Sequence, residues 1–275
     1  MPYSESINDE QTEILINDVL EQRGYDFTGY SRASLKRRLS RLYTLDKHVS
    51  FAEFRYQALN DETYFKKFVE GITVNVTEMF RDPSFYKLLR DEILPSLNTY
   101  PFIRIWVAGC STGEEAYSIA IILKELNLLH KSLIYATDIN PTVLEKAAQG
   151  MFPLNQMKSY SENYIASGGT KDFSSYYSAN YTLAKFDEEL KQKMIYSTHN
   201  LVSDRSFNEF QLILCRNVMI YFDRPLQFNV LNLFDQSLEN LCYLALGSKE
   251  TIDFSPIASK YRRIGTDKVW RKTSI

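Results

Sequence analysis

The chain has 275 residues, with 32 Lys and Arg against 34 Asp and Glu and a formal charge of -2. At 44% hydrophobic and 24% charged residues it has the composition of a folded globular protein, which argues against a disordered tail or linker. The near-neutral balance leaves no global basic field, and three widely spaced cysteines (Cys110, Cys215, Cys242) argue against a disulfide framework or a zinc site. The opening residues lack a basic segment followed by an apolar one, and no apolar run reaches the ~20 residues needed to cross a bilayer. A cytoplasmic protein with no direct membrane insertion is expected, and a monomer.

Residues 1–85 read as a helical domain. Apolar spacing over 14–20 predicts a helix that stops at Gly24. In 31–42, Leu35, Leu39 and Leu42 form one apolar face, while Arg32, Lys36, Arg37, Arg38 and Arg41 fill the remaining arc. No acid falls between Ser31 and Leu45, so this basic face reads as uncompensated. Further helices are predicted over 50–59, with Ser50 and Glu53 as a capping box, over 61–72 and over 83–94.

Residues 86–275 read differently. A β-rich run at 102–108 ends at Gly109, and a helix follows over 114–126. A second strand at 132–137 closes on Asp138. Asn140 and Pro141 then open a helix that Gly150 ends. Another buried strand is predicted at 210–214, a helix at 225–238, and strands at 242–246 and 261–272. This alternation predicts an α/β domain with a mostly parallel, Rossmann-like sheet. Residues 155–197 interrupt it and read as an inserted antiparallel β subdomain, in which 182–186 and 193–197 pair around a turn.

The strand–turn–helix junction GCSTG (109–113) has GxxxG spacing, not the GxGxxG of dinucleotide folds. Glu114 and Glu115 in the first helical turn would repel a phosphate. A cationic ligand without phosphate fits better, and S-adenosylmethionine is one; alternatively, GxxxG is only a tight turn. Asp138 at the second strand end suits ribose hydroxyls, or only caps the next helix. Asn200 and Asn217 follow strand ends on the same rim, where each could also serve merely as a loop former.

The sequence resembles the chemoreceptor glutamate methyltransferases, the CheR family, over nearly its whole length. The resemblance rests on NVTEMFR (75–81), AGCSTGEEAYS (108–118), ATDIN (136–140), HNL (199–201) and CRNVMIYF (215–222). It implies an N-terminal all-helical domain, a methyltransferase domain with a small inserted β subdomain, S-adenosylmethionine as donor and S-adenosylhomocysteine as product, with no metal. By motif position, Asn75, Thr77, Arg81, Glu115, Asp138, Asn200, Leu201, Asn217 and Val218 would line the donor site beside Gly109. Arg81 and Tyr221 would lie closest to the reacting carboxylate; the alternative for Arg81 is an ordinary ion pair between the two domains. The acceptor would be receptor glutamates, giving methyl esters for sensory adaptation. Ala116 stands where many members have Pro, and the insertion lacks the Gly-rich loop with which some members grip a receptor tail.

A glutamate, with a reference pKa of about 4.3, is already a nucleophile at neutral pH. No general base is needed, and the three histidines (His48, His130, His199) form no evident catalytic pair. The basic face of Arg32, Lys36, Arg37, Arg38 and Arg41 could meet the acidic, helical cytoplasmic region of a receptor; a solvated face or cross-domain ion pairs are the alternatives. Nucleic acid is disfavoured by the slightly acidic chain, and no Asn/Asp-Pro-Pro-aromatic element of amino-directed base methyltransferases is present. A non-catalytic module that only binds the donor or its product is the alternative function.

Overall fold

The computed structural model describes residues 6–73 and 76–273. Helix α1 (Asp9–Arg23) opens on a reciprocal cap: Asn8 Oδ1 accepts from Gln11 N (2.8 Å) and Gln11 Oε1 from Asn8 N (3.0 Å). It ends at Gly24, as expected. Helix α2 (Arg32–Leu45) buries Leu35, Leu39 and Leu42, the predicted stripe. Helix α3 (Phe51–Asn60) starts at Ser50, whose hydroxyl accepts from Glu53 N (3.2 Å). Only half of the predicted box forms, because the Glu53 carboxylate takes Val49 N (2.8 Å) instead of Ser50 N. Helix α4 (Glu62–Ile72) begins at Asp61, which accepts from both Thr63 N and Tyr64 N. Ile16, Val19, Leu39, Phe54 and Phe68, all fully buried, form the core of these helices.

Two later segments, Asn200–Arg205 and Tyr221–Val230, belong to the same compact unit as these helices. The sequence reading, with its single boundary near residue 85, assigns them to the second domain. Residues 29–31 have backbone groups to satisfy, and the later segment satisfies them: Ser31 N donates to Tyr221 O (2.8 Å) and Asp223 N to Gly29 O (2.9 Å). Tyr30 and Phe222 pack their rings 4.9 Å apart.

The second unit comprises Val76–His199, Ser206–Ile220 and Leu231 onward. Its first helical stretch is α5 (Pro83–Leu88), a turn of π-helix (Leu89–Ile93) and α6 (Leu94–Ser96), where one regular helix is predicted. The ladder loosens just ahead of Pro95, which has no N–H to give. There follow β1 (Ile103–Ala108), α7 (Glu114–Glu125), β2 (Ser132–Asp138), α8 (Pro141–Gln149), β3 (Met151–Pro153), α9 (Met157–Ala166), β4 (Tyr177–Asn180), β5 (Leu183–Phe186), α10 (Glu188–Lys191), β6 (Met194–Thr198) and β7 (Phe210–Cys215). Helix α11 (Arg224–Ser237) leads into β8 (Leu238–Leu246), β9 (Tyr261–Ile264) and β10 (Val269–Lys272).

The main sheet has the order β6-β2-β1-β7-β8-β10-β9, parallel through β8, with β10 antiparallel to both neighbours. Fully buried Ile103, Ile105 and Val107 carry β1 through the core, and Trp106 Nε1 donates to Thr137 Oγ1 (2.8 Å) on β2. From β1 the chain moves to β2 and β6 on one side, then returns to β7 on the other. The strand order thus reverses between β1 and β7, and open α/β sheets bind their ligands outside the C-terminal strand ends at such a reversal.

Two strand expectations are corrected. Residues 182–186 do not pair with 193–197: β5 lies between β3 and β4 in a separate three-stranded antiparallel sheet, whereas β6 joins the main sheet parallel to β2. The β4–β5 turn, Tyr181-Thr182, contains no glycine, and its Tyr181 takes a left-handed φ of 52°. The usual composition of a hairpin turn is therefore missing. Residues 261–272 are not one strand but the β9–β10 hairpin, turned at Gly265.

Candidate active site

The crevice end of β1 is built by close backbone approach. Gly109 N and Cys110 N both donate to Thr137 O at the end of β2 (2.8 and 2.9 Å). Gly109 has φ 75°, and a Cβ there would fall 2.4 Å from Val218 Cγ2, so the loop after β7 docks directly on the apex of the GxxxG turn. Only glycine suits both the backbone and the space. Cys110 and Cys215 are buried free thiols, and burial pushes both well above the ordinary range.

Asp138 ties the neighbouring strand end to that turn. Its Oδ2 accepts from Ser111 N (2.9 Å) and its Oδ1 from Asn140 N (3.0 Å). The helix cap is Asn140, which accepts from Thr142 N (2.9 Å), so α8 does not depend on Asp138 as its own cap. Burial raises the Asp138 pKa, against the backbone N–H groups that favour its charged form. Each oxygen keeps a second lone pair for a hydroxyl of a ligand. Glu114 is also buried and raised by burial; its carboxylate accepts from Thr112 Oγ1 (2.7 Å).

Glu115 belongs to a buried charge network that the sequence reading did not anticipate. Its Oε2 accepts from Arg216 Nη1 (2.8 Å), and Arg216 Nη2 donates to Asp82 Oδ2 (2.6 Å) and to Arg81 O (3.0 Å). The guanidinium lies over the Phe85 ring, 4.1 Å from its centroid. Burial alone would lower the Arg216 pKa, but the charges of Glu115 and Asp82 outweigh it and hold it above the usual value. Glu250 is the second residue missed. It sits just beyond the end of β8, and its carboxylate accepts from the backbone of Asn217, Val218, Ile220 and Gly247. Each has a readable signal: Arg216 directly follows the buried strand β7, and Glu250 stands four residues past the end of β8.

Within the sheet unit, then, Gly109, Asp138 and Val218 come together at the switch point, and Arg216 links Glu115 to the backbone of Arg81. Arg81 is half-buried, with Nη1 3.4 Å from Val76 O, and Thr77 is half-buried beside it in sequence. Asn75 lies outside the described residues. In the helical unit, Asn200 acts as a turn former: its Oδ1 accepts from Val202 N (3.0 Å) and its own N–H goes to Asp204 (2.8 Å). Leu201 is half-buried. The Tyr221 ring faces the Arg38 guanidinium at 4.4 Å.

The basic face of α2 is not uncompensated. Glu13 pairs with Arg32 (2.6 Å) and Asp9 with Lys36 (2.8 Å), both from α1, and Arg38 is buried, donating to the Ile72 carbonyl. Sequence spacing within one helix could not show acids supplied by another. Arg37 and Arg41 stay exposed. Among the described residues, no His, Cys, Asp or Glu side chains group as metal ligands, and no helix is long and apolar enough to cross a membrane.

Two family models match the chain: CheR methyltransferase, all-alpha domain, over residues 10–73, and CheR methyltransferase, SAM binding domain, over 75–268. The chain belongs to the CheR methyltransferase family. It is 41% identical over 271 residues to "Putative methyltransferase Cher3" of Pseudomonas putida, covering 98% of this chain and 99% of that one. It is 37% identical over 221 residues to chemotaxis protein methyltransferase 2 of Pseudomonas aeruginosa, covering 77% and 78%. It is 29% identical over 231 residues to a chemotaxis protein methyltransferase of Listeria innocua, covering 83% and 85%. The all-α and Rossmann-like parts of this CheR protein are those its sequence predicts, and it is a methyltransferase that takes S-adenosylmethionine as donor.

Proposed function

We propose that this CheR protein is a protein-glutamate O-methyltransferase that esterifies side-chain carboxylates in the cytoplasmic helical region of chemoreceptors, so serving sensory adaptation in the cytoplasm. The observation that carries the donor half is the meeting of Gly109, Val218 and the Asp138 carboxylate at the strand-order reversal. The acceptor half is supported by the relatives named chemotaxis protein methyltransferases.

The residues fit a donor with ribose hydroxyls: Asp138 is a buried acceptor tied to the turn at 109–113. When bound, the donor supplies a methyl group on a sulfonium, and the reaction exchanges a C–S bond for an ester C–O bond. The chain's own task is to bind, align and partly dry the acceptor, which is ionised at neutral pH and needs no base. Asp138 accepts from the ribose, and Asn217 and Val218 line the nucleoside side. Arg81 grips the donor's carboxylate, and the Tyr221 hydroxyl orients the acceptor carboxylate. Arg37 and Arg41, exposed cations of α2 that no acid of α1 pairs with, draw in the acidic receptor helix.

The test is transfer of labelled methyl groups to purified receptor cytoplasmic fragments, read as methanol released from the ester by base. Substantial labile ester with wild type, and its loss in Arg81→Ala at saturating donor, is expected. Tight binding of S-adenosylhomocysteine without any ester would leave a donor-binding regulatory module instead.

A further inference from the structure

We infer that Glu250 is a positioning residue for the donor-binding loop, its buried carboxylate fixing the backbone from which Asn217 and Val218 project. The inference rests on the reading of Gly109, Asp138, Asn217 and Val218 as the donor site. Oε2 of Glu250 accepts from Gly247 N (2.6 Å) and Asn217 N (2.9 Å), and Oε1 from Val218 N (3.0 Å) and Ile220 N (3.2 Å). Four backbone donors converge on one side chain.

The loop needs such a partner for two reasons. Asn217 holds a left-handed φ of 61°, a conformation that costs a non-glycine residue on the order of 1 kcal/mol and must be stabilised from outside. The N–H groups of Asn217, Val218 and Ile220 also lack a ladder once β7 has ended at Cys215. Successive N–H groups aimed at one point form the kind of concavity that elsewhere binds an anion. Here a carboxylate of the chain itself fills it, only 5% exposed. There is no slack in the arrangement. A Cβ on Gly247 would lie 2.7 Å from both Asn217 N and Glu250 Oε2, and Val218 in turn rests on Gly109. Movement of Glu250 therefore moves the loop against the apex of the donor site.

Glu250→Gln is the sharp test. The amide keeps one acceptor oxygen and replaces the other with an NH2 that must face N–H donors, so two bonds are lost whichever way it flips. The expected result is a rise of about tenfold or more in the dissociation constant of S-adenosylhomocysteine, measured by calorimetry on the full chain, the equivalent of one unsatisfied buried group. The control is Asp235→Asn. Asp235 is likewise a buried carboxylate, held by Lys260 (2.5 Å), Tyr261 (3.0 Å) and Lys272 (3.2 Å). It makes no bond to the donor loop, so its variant should lower the urea midpoint without weakening S-adenosylhomocysteine. Should Glu250→Gln not fold, Glu250→Asp, one methylene shorter, is held to the same comparison. Binding within twofold of wild type in the Glu250 variant, or equal weakening in the Asp235 variant, overturns the positioning role. If wild type itself fails to bind S-adenosylhomocysteine, the donor-site reading falls, and this inference with it.

Discussion

The sheet unit keeps its site charges inside. Arg216 is buried between Glu115 and Asp82, and Asp138 and Glu250 give their carboxylates to backbone donors. The helical unit keeps most of its charges at the surface, where Arg32 and Lys36 meet Glu13 and Asp9 in solvent-exposed pairs. Interior charges set geometry and are costly to disturb, whereas surface charges stabilise little and act at long range. The first kind suits a site that must hold a small molecule in one pose, and the second suits a face that attracts a large partner before contact.

The comparison breaks hardest at Arg216. Arg216→Met keeps much of the volume over Phe85 but strands the Glu115 carboxylate, and loss of one partner of a buried pair costs about 3–5 kcal/mol. The expected outcome is a large drop in urea midpoint, far beyond that of Arg32→Met, whose pair with Glu13 is worth at most ~1 kcal/mol. Similar midpoints for the two variants would erase the distinction between interior and surface charge.

Asp138→Ala should come next. It removes the acceptor for Ser111 N and Asn140 N and, on the proposed reading, the contact to the ribose. A loss of about 1–3 kcal/mol in S-adenosylhomocysteine affinity, roughly five- to 150-fold, is expected by calorimetry. Unchanged affinity would leave Asp138 as a purely structural tie between two strand ends.

What the sequence made legible follows the same division. Helix stripes, the cap at Asn140, the stop at Gly24, and the β1–GxxxG–α7 junction are local signals, and they appear in the structure where the spacing puts them. The β4–β5 pairing was not legible because its turn lacks the residues that usually announce one. The partners of Arg32, Lys36 and Arg216 come from other elements, 19 or more positions away, beyond the reach of any spacing rule. Glu250 stood at a strand end in plain view, but its function lies in bonds to a loop some 30 residues earlier.

A subtler separation comes from pH. Burial raises the Glu114 carboxyl in the folded state, and Thr112 only partly opposes it. The folded chain then binds more protons than the unfolded chain above the reference pKa of about 4.3, so this group's contribution to stability falls as pH rises through that window. Asp46 in the helical unit runs the other way. Burial tends to raise it, but Lys67 and the Tyr64 hydroxyl outweigh that and hold it low, so its contribution is present above the unfolded pKa and lost as pH falls through the folded one. Relative to wild type, Glu114→Gln should therefore gain urea midpoint as pH rises above the unfolded carboxyl value, whereas the deficit of Asp46→Asn should be full above that value and shrink as pH falls below it. Parallel shifts of the same sign would refute the assignment of one raised and one lowered group.

The smallest stability effect, and the most informative for the acceptor, belongs to Arg37 and Arg41. Both side chains are exposed, so the double reversal Arg37→Glu/Arg41→Glu should move the urea midpoint by no more than ~0.5 kcal/mol per site. S-adenosylhomocysteine affinity should stay at the wild-type value. Methylation of an acidic receptor fragment should fall, mainly at low ionic strength, and the gap to wild type should narrow as salt rises, because an ~8 Å screening length at physiological salt cuts off attraction between surface charges. A salt-independent loss would mean that these two arginines make close contacts with the receptor rather than steering it. No loss at any salt would take the partner off this face of α2 altogether.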